Sequence, residues 1–311
     1  MDYPIVKVKT PDDFTLFGFF AEANKKDTIL INIHGTGSCF YAEEFEGEFI
    51  KRLPNLGVSV LFTNNRSNYT LESWQATGCA REKFEDCLID IDTWIQFALD
   101  KGYTKIILQG HSLGTEKVTY YMEKGKHKDK VIAVLLLGFA DSFGCQMKFL
   151  KTQDIDPMVN ALELIKAGRG NELITSTHLC HAGVLPKTAN SYVNCFSEGS
   201  ELSRALPLRQ GKDLVYYQNI KVPILGIICD TDEWNEMLGV DTVSLLKNEN
   251  SNARIETISD TDHSFSGKKK ELVDIVEDFI KNKLIYYLLA TIVIFRYNHY
   301  WNWKVSVING V

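Results

Sequence analysis

Five consecutive residues, Gly110-His111-Ser112-Leu113-Gly114, have types and spacing that can do chemistry. A serine hydroxyl is a weak nucleophile near neutral pH, and it attacks an acyl carbon only when a base takes its proton and a carboxylate holds that base in the right tautomer. The apolar, β-branched run Lys105-Ile106-Ile107-Leu108-Gln109 precedes the five residues and reads as a strand; a helix-type run from Leu113 to Glu123 follows. Strand, Gly-x-Ser-x-Gly, helix is the setting of a nucleophile elbow. A side chain at either flanking position would collide with the neighbouring strand or helix, so glycine is needed there. Such a turn holds the hydroxyl out at the top of a sheet, above the positive end of a helix. An acid and a histidine must follow later in the chain, and both are present.

Strand and helix patterns alternate around this turn. Val6–Val8 and Phe14–Ala21 read as a strand pair joined through Pro11-Asp12-Asp13. Thr28–Ile33 and Val58–Phe62 read as buried strands, and between them Phe45, Phe49, Ile50 and Leu53 fall on one helical face. Phe84, Cys87, Leu88, Ile91, Trp94, Ile95 and Ala98 recur at helical spacing over Ala80–Leu99. The Lys105 strand, the elbow and its helix follow, then the apolar run Val131–Leu137. Short apolar strands alternating with helices imply a mostly parallel central sheet flanked by helices on both faces, an α/β architecture.

The rhythm breaks near Asp141. Roughly 80 residues pass before the next buried strand at Val222–Ile228, far more than a loop needs. We read residues 141–221 as a helical cap inserted over the functional edge of the sheet; Met158–Lys166 is one of its helical pieces. Val243–Leu246, Arg254–Ile258 and a helix over Glu271–Lys281 then restore the alternation, so the domain runs over 1–282. Residues 283–311 form an apolar, aromatic tail. Its unbroken apolar run, Leu284–Phe295, spans about 18 Å as a helix, against about 30 Å of bilayer hydrocarbon. Packing over the core or on another chain is the plainer expectation for this tail, and contact with a membrane interface the sharper one.

Composition narrows the function classes. The 311 residues are 45% hydrophobic and carry a formal net charge of −6, with no basic run longer than Lys268-Lys269-Lys270. Sequence-independent nucleic-acid binding is therefore not expected. The seven cysteines are scattered without a Cys-x-x-Cys pair, and Met1-Asp2-Tyr3-Pro4 lacks the pattern of a secretory signal, so a reducing, cytoplasmic compartment is expected. His178 and His181 (His-Leu-Cys-His) lie close enough to suggest a metal, but two ligands without others make no site, and no metal or organic cofactor is expected.

His34-Gly35-Thr36-Gly37 after a buried strand, the Gly110–Gly114 elbow, Cys229-Asp230-Thr231-Asp232 after another strand, and Asp262-His263-Ser264-Phe265 before the last helix together resemble the α/β-hydrolase superfamily. The likeness covers residues 1 to about 282. In style it is similar to the single-domain serine esterases, lipases and aminopeptidase-like hydrolases. The resemblance implies an order of Ser, then Asp or Glu, then His, with Ser112 as nucleophile and His263 as base. It points to Asp232 as the orienting acid, with Asp230 as the alternative and Asp141 as a third candidate; Cys229 stands where the family pattern has glycine. It also implies an oxyanion hole from the backbone N–H groups of Leu113 and Thr36, with Gly37 as the alternative to Thr36.

The expected function is a serine hydrolase that cleaves an ester-type acyl bond of a small molecule through an acyl-enzyme. The same residues would serve an amidase, peptidase or thioesterase, or survive in a binding protein that has lost turnover. Phe143, Met147, Phe149 and Leu150, at the start of the cap, are expected to wall an apolar substrate pocket.

Overall fold

The computed structural model describes residues 4–284, apart from 26, 43–44, 155, 177 and 179. The tail expected to carry apolar and aromatic contacts lies, from residue 285 on, outside the described residues.

Eight strands form one sheet: β1 (Ile5–Lys9), β2 (Thr15–Ala21), β3 (Thr28–Ile33), β4 (Val58–Thr63), β5 (Lys105–Ser112), β6 (Val131–Phe139), β7 (Ile224–Cys229) and β8 (Ala253–Ile258). Their spatial order is β1-β2-β4-β3-β5-β6-β7-β8. β2 pairs antiparallel with both β1 and β4, and every other pairing is parallel. The sheet is therefore mostly parallel, as the alternating pattern implies, and β5 lies near its middle between β3 and β6.

The helices are α1 (Glu46–Arg52), α2 (Cys87–Asp100), α3 (Leu113–Lys124), α4 (Ser142–Leu150), α5 (Pro157–Lys166), α6 (Ala189–Phe196), α7 (Glu201–Ala205), α8 (Val215–Gln218), α9 (Glu233–Leu238), α10 (Thr242–Glu249) and α11 (Lys269–Asp278). Side chains alternate across a strand, so each buried strand feeds two cores. Ile29, Ile31 and Ile33 of β3 and Ile106 and Leu108 of β5 pack with Ile91, Trp94 and Ile95 of α2. Leu30 and Ile107 point the other way, into a second cluster with Phe45, Phe49 of α1 and Leu272, Val273 and Val276 of α11. Each side chain so buried contributes roughly 1.5–3 kcal/mol relative to exposure.

Helix α2 begins at Cys87 rather than near Ala80. The carbonyls that would open an earlier helix are bonded elsewhere. Cys79 O accepts from Lys187 Nζ at 2.8 Å, Ala80 O from Thr188 N at 2.7 Å and Glu82 O from Ser191 Oγ at 2.6 Å. Residues 187–191 belong to the stretch between β6 and β7, which carries α4–α8. That stretch is joined to the rest of the chain by hydrogen bonds to backbone carbonyls as well as by packing.

Candidate active site

Ser112 ends β5 and Leu113 begins α3, so no loop separates strand from helix. The serine pays for this turn with φ 56° and ψ −128°, a strained conformation for a residue with a Cβ. The turn closes only because its flanks are bare. A Cβ on Gly110 would overlap the Gly114 carbonyl, and one on Gly114 would overlap the Ile33 carbonyl of β3. The first N–H groups of α3 have no intrahelical partner, and the helix dipole places positive potential at Leu113.

His263 lies in the loop between β8 and α11. Its Nδ1 is 2.9 Å from Oδ2 of Asp232, and both side chains are buried. Asp232 sits just past β7, where its Oδ1 accepts from Trp234 N at 3.0 Å. The His263 carbonyl accepts from His111 Nε2 at 3.0 Å, which ties the imidazole's backbone to the residue before Ser112. His263 Nε2 is buried and makes no hydrogen bond. Of the other acid candidates, Asp230 is exposed and accepts from Asp260 N at 3.2 Å. Asp141 is buried at the N-terminus of α4, accepting from Gly144 N at 2.7 Å and pairing with Arg209 Nη1 at 2.6 Å. Only Asp232 among the three reaches the imidazole.

The loop after β3 comes close to the serine. A Cβ on Gly35 would lie 2.8 Å from Ser112 Cβ. His34 shapes this loop: its Nε2 accepts from Asn65 N at 3.1 Å, so the ring proton is on Nδ1, which donates to Gly35 O at 2.7 Å. Thr36 lines a small enclosed cavity of about 30 Å³ over Ser112, together with Ala140, Ser142, Cys145, His181, Ala182 and Trp234. Phe143 is not among these residues. It turns away, with the Arg209 guanidinium 4.7 Å above its ring, and lines a separate cavity with Tyr216 and Arg204. The helical register explains the difference: Cys145 and Ser142 share the face of α4 that looks at the serine.

Two buried polar clusters flank the site. Lys117, one turn into α3 from the elbow, lies 2.5 Å from Glu82 Oε1 and donates to Ser67 Oγ at 2.7 Å; Lys187 Nζ is 3.9 Å from Glu82 Oε2. Burial pushes the Glu82 carboxyl up, but the two ammonium groups outweigh it and hold the pKa below the ordinary value. Glu116 of α3 accepts from Ser142 N at 3.0 Å and Ser142 Oγ at 2.5 Å. Burial, and then the nearby Asp141 charge, push its carboxyl well above the ordinary range.

Sequence reasoning missed the roles of His34, Ser142, Cys145, Trp234 and Glu82. The His178–His181 pair was legible, but the structure separates it: His178 is exposed, whereas His181 is buried in the wall over Ser112. Among the described residues no group of three or more His, Cys, Asp or Glu side chains is arranged to hold a metal. No helix among them is long and apolar enough to cross a membrane.

Residues 4–285 match the family described as "Protein of unknown function (DUF1749)". The chain belongs to this family. A curated relative, UPF0613 protein PB24D3.06c of Schizosaccharomyces pombe, is 24% identical over 177 residues; the match spans 55% of this chain and only 55% of the relative's length. Among solved structures, the Pyrococcus furiosus esterase Pf2001 is 18% identical, with 90% of each chain covered and a TM-score of 0.56. The α/β hydrolase GrgF of a Penicillium species is 13% identical, with 92% of this chain and all of that one covered and a TM-score of 0.62. At such identities the likeness speaks for the fold. With the strand order above, it identifies this DUF1749 chain as an α/β-hydrolase fold.

Proposed function

We propose that the protein is a serine hydrolase that cleaves an ester-type acyl bond of a small molecule. Ser112 Oγ attacks the acyl carbon while His263 takes its proton; the tetrahedral oxyanion rests on the N–H groups of Leu113 and Thr36. His263 then returns the proton to the leaving oxygen, and water, activated by the same imidazole, releases the acid. Asp232 keeps the His263 proton on Nδ1 and so leaves Nε2 as the basic nitrogen.

The observation that carries this reading is the 2.9 Å contact between Asp232 and His263 beside a strained serine at the strand–helix turn. His263 Nε2 is buried without a partner, which is costly unless a reacting group uses it. The unbonded geometry is compatible with catalysis, since such contacts often tighten only when substrate binds. Stretch 141–221 is proposed as the cap that closes the site. The seven cysteines are all free thiols, which supports a reducing compartment such as the cytoplasm.

A fluorophosphonate probe tests the proposal. Ser112 is expected to become the labelled residue in folded protein, and Ser112→Ala to abolish labelling. An unlabelled Ser112 in folded protein refutes it. A panel of p-nitrophenyl esters, with matched amides and thioesters, then separates ester cleavage from the related acyl transfers.

A further inference from the structure

We propose that His181 is a substrate-binding residue that selects acyl groups carrying a hydroxyl. The inference rests on the reading of Ser112 as the nucleophile and adds the substrate class.

His181 lies in the wall of the cavity over Ser112, with only 7% of its surface exposed. Its Nδ1 is buried and has no hydrogen-bond partner. Phe196 packs on the ring from one side, with centroids 6.1 Å apart. Burial, reinforced by the Lys187 charge, lowers the imidazole pKa to about 3, so the ring is neutral at working pH and brings one N–H and one lone pair.

The ring does not reach this position by default. His181, Ala182 and Gly183 have φ values of 49°, 51° and 84°, three left-handed residues in a row, two of them with side chains. The turn is held by Gln146 Oε1, which accepts from Ala182 N at 2.5 Å, while Gln146 Nε2 donates to Tyr192 OH at 3.0 Å. Strain of this kind persists only where the surroundings impose it.

The rest of the wall decides what the imidazole meets. Ala140, Cys145, Ala182 and Trp234 are apolar, and Ser142 is the other polar group beside Thr36 and the serine. Ser142 Oγ donates to Glu116, which leaves its lone pairs free to accept. A substrate hydroxyl both donates and accepts, so it satisfies either tautomer of His181 and also Ser142. A carboxylate would only accept, and a neutral imidazole offers it no opposite charge. A hydrocarbon acyl group would leave Nδ1 buried and unbonded. The space over Ser112 is small, about 30 Å³, which favours a short acyl group.

The test compares kcat/KM for p-nitrophenyl 3-hydroxybutanoate and its near-isostere p-nitrophenyl 3-methylbutanoate, each divided by its rate of alkaline hydrolysis. The ratio of the two is independent of the active fraction of a preparation. Wild type is expected to favour the hydroxy ester by about tenfold or more. His181→Phe is expected to bring the ratio to one or below, and His181→Gln, which keeps a donor and an acceptor, to retain part of the preference. A wild-type ratio near one overturns the inference, as does an undiminished ratio in His181→Phe. If His181→Phe fails to fold, the wild-type ratio and the His181→Gln ratio still decide. Ser112 that labels with fluorophosphonate beside a ratio near one refutes only the role of His181. Absent labelling refutes the hydrolase reading and this one with it.

Discussion

Lys117 Nζ lies 2.5 Å from Glu82 Oε1, and both side chains are buried. The pair locks the first turns of α3, the helix that begins at the elbow, to the loop before α2. Glu82 also faces Lys187, so one carboxylate serves two ammonium groups. Glu82→Gln would leave two buried cations without a counter-charge. A loss of about 3–5 kcal/mol is expected, read as a fall in the urea midpoint. A change under about 1 kcal/mol would mean that Glu82 does not balance these lysines.

Asp232 and Asp230 are two residues apart but differ in kind. Asp232→Asn should cost about 10⁴-fold in kcat, because the amide no longer fixes the tautomer of His263. Asp230→Asn removes an exposed acceptor and should change kcat by less than about threefold. Hydrolysis of p-nitrophenyl butanoate by both variants checks this, and the opposite ranking would reassign the acid.

His181 should also mark the acid side of the stability curve. Its native pKa, about 3, lies below the ordinary 6.5 of the unfolded chain. Between those values the unfolded state binds a proton that the native state refuses. The folded state therefore loses about 1.4 kcal/mol for each pH unit of acidification from this group alone. His181→Gln removes that term. Urea unfolding at pH 4.5 to 6 should show a slope shallower by about one proton than in wild type; equal slopes would contradict a neutral buried ring.

Glu116 has the opposite sign. Burial raises its carboxyl pKa in the native state above the unfolded value, so its contribution to stability is present below the ordinary value and is lost as pH rises. Gln carries no charge and keeps an oxygen for Ser142 N, at the cost of the second oxygen to which Ser142 Oγ donates. Glu116→Gln should raise Tm at pH 8 and do so less at pH 5. A lower Tm at both pH values would show that the ionised carboxylate is the stabilising form.

How much of this was legible in the sequence follows from how local each signal is. β3, β5, β6 and β7 are continuous apolar runs between breaks, and the elbow states its own turn through two glycines; such features need no tertiary context. The late start of α2 was not legible, because the carbonyls of Cys79, Ala80 and Glu82 are bonded by residues about 110 positions away. The apolar look of Phe143 gave no hint that an arginine from beyond α7 covers it. His181 was visible as a residue but not as a wall of the site, since its position depends on a left-handed turn that no spacing rule announces. Asp232 was distinguishable from Asp230 only by analogy, because both follow the same strand.

The hydrogen bonds from residues 187–191 to the chain before α2 bear on how this protein can be re-engineered. Excising 141–221 and splicing β6 to β7 would strip donors from three backbone carbonyls and remove one of the two cations that face Glu82. The stretch is therefore no exchangeable module. Laboratory redesign should begin from single-residue changes along the wall above Ser112 rather than from grafted segments.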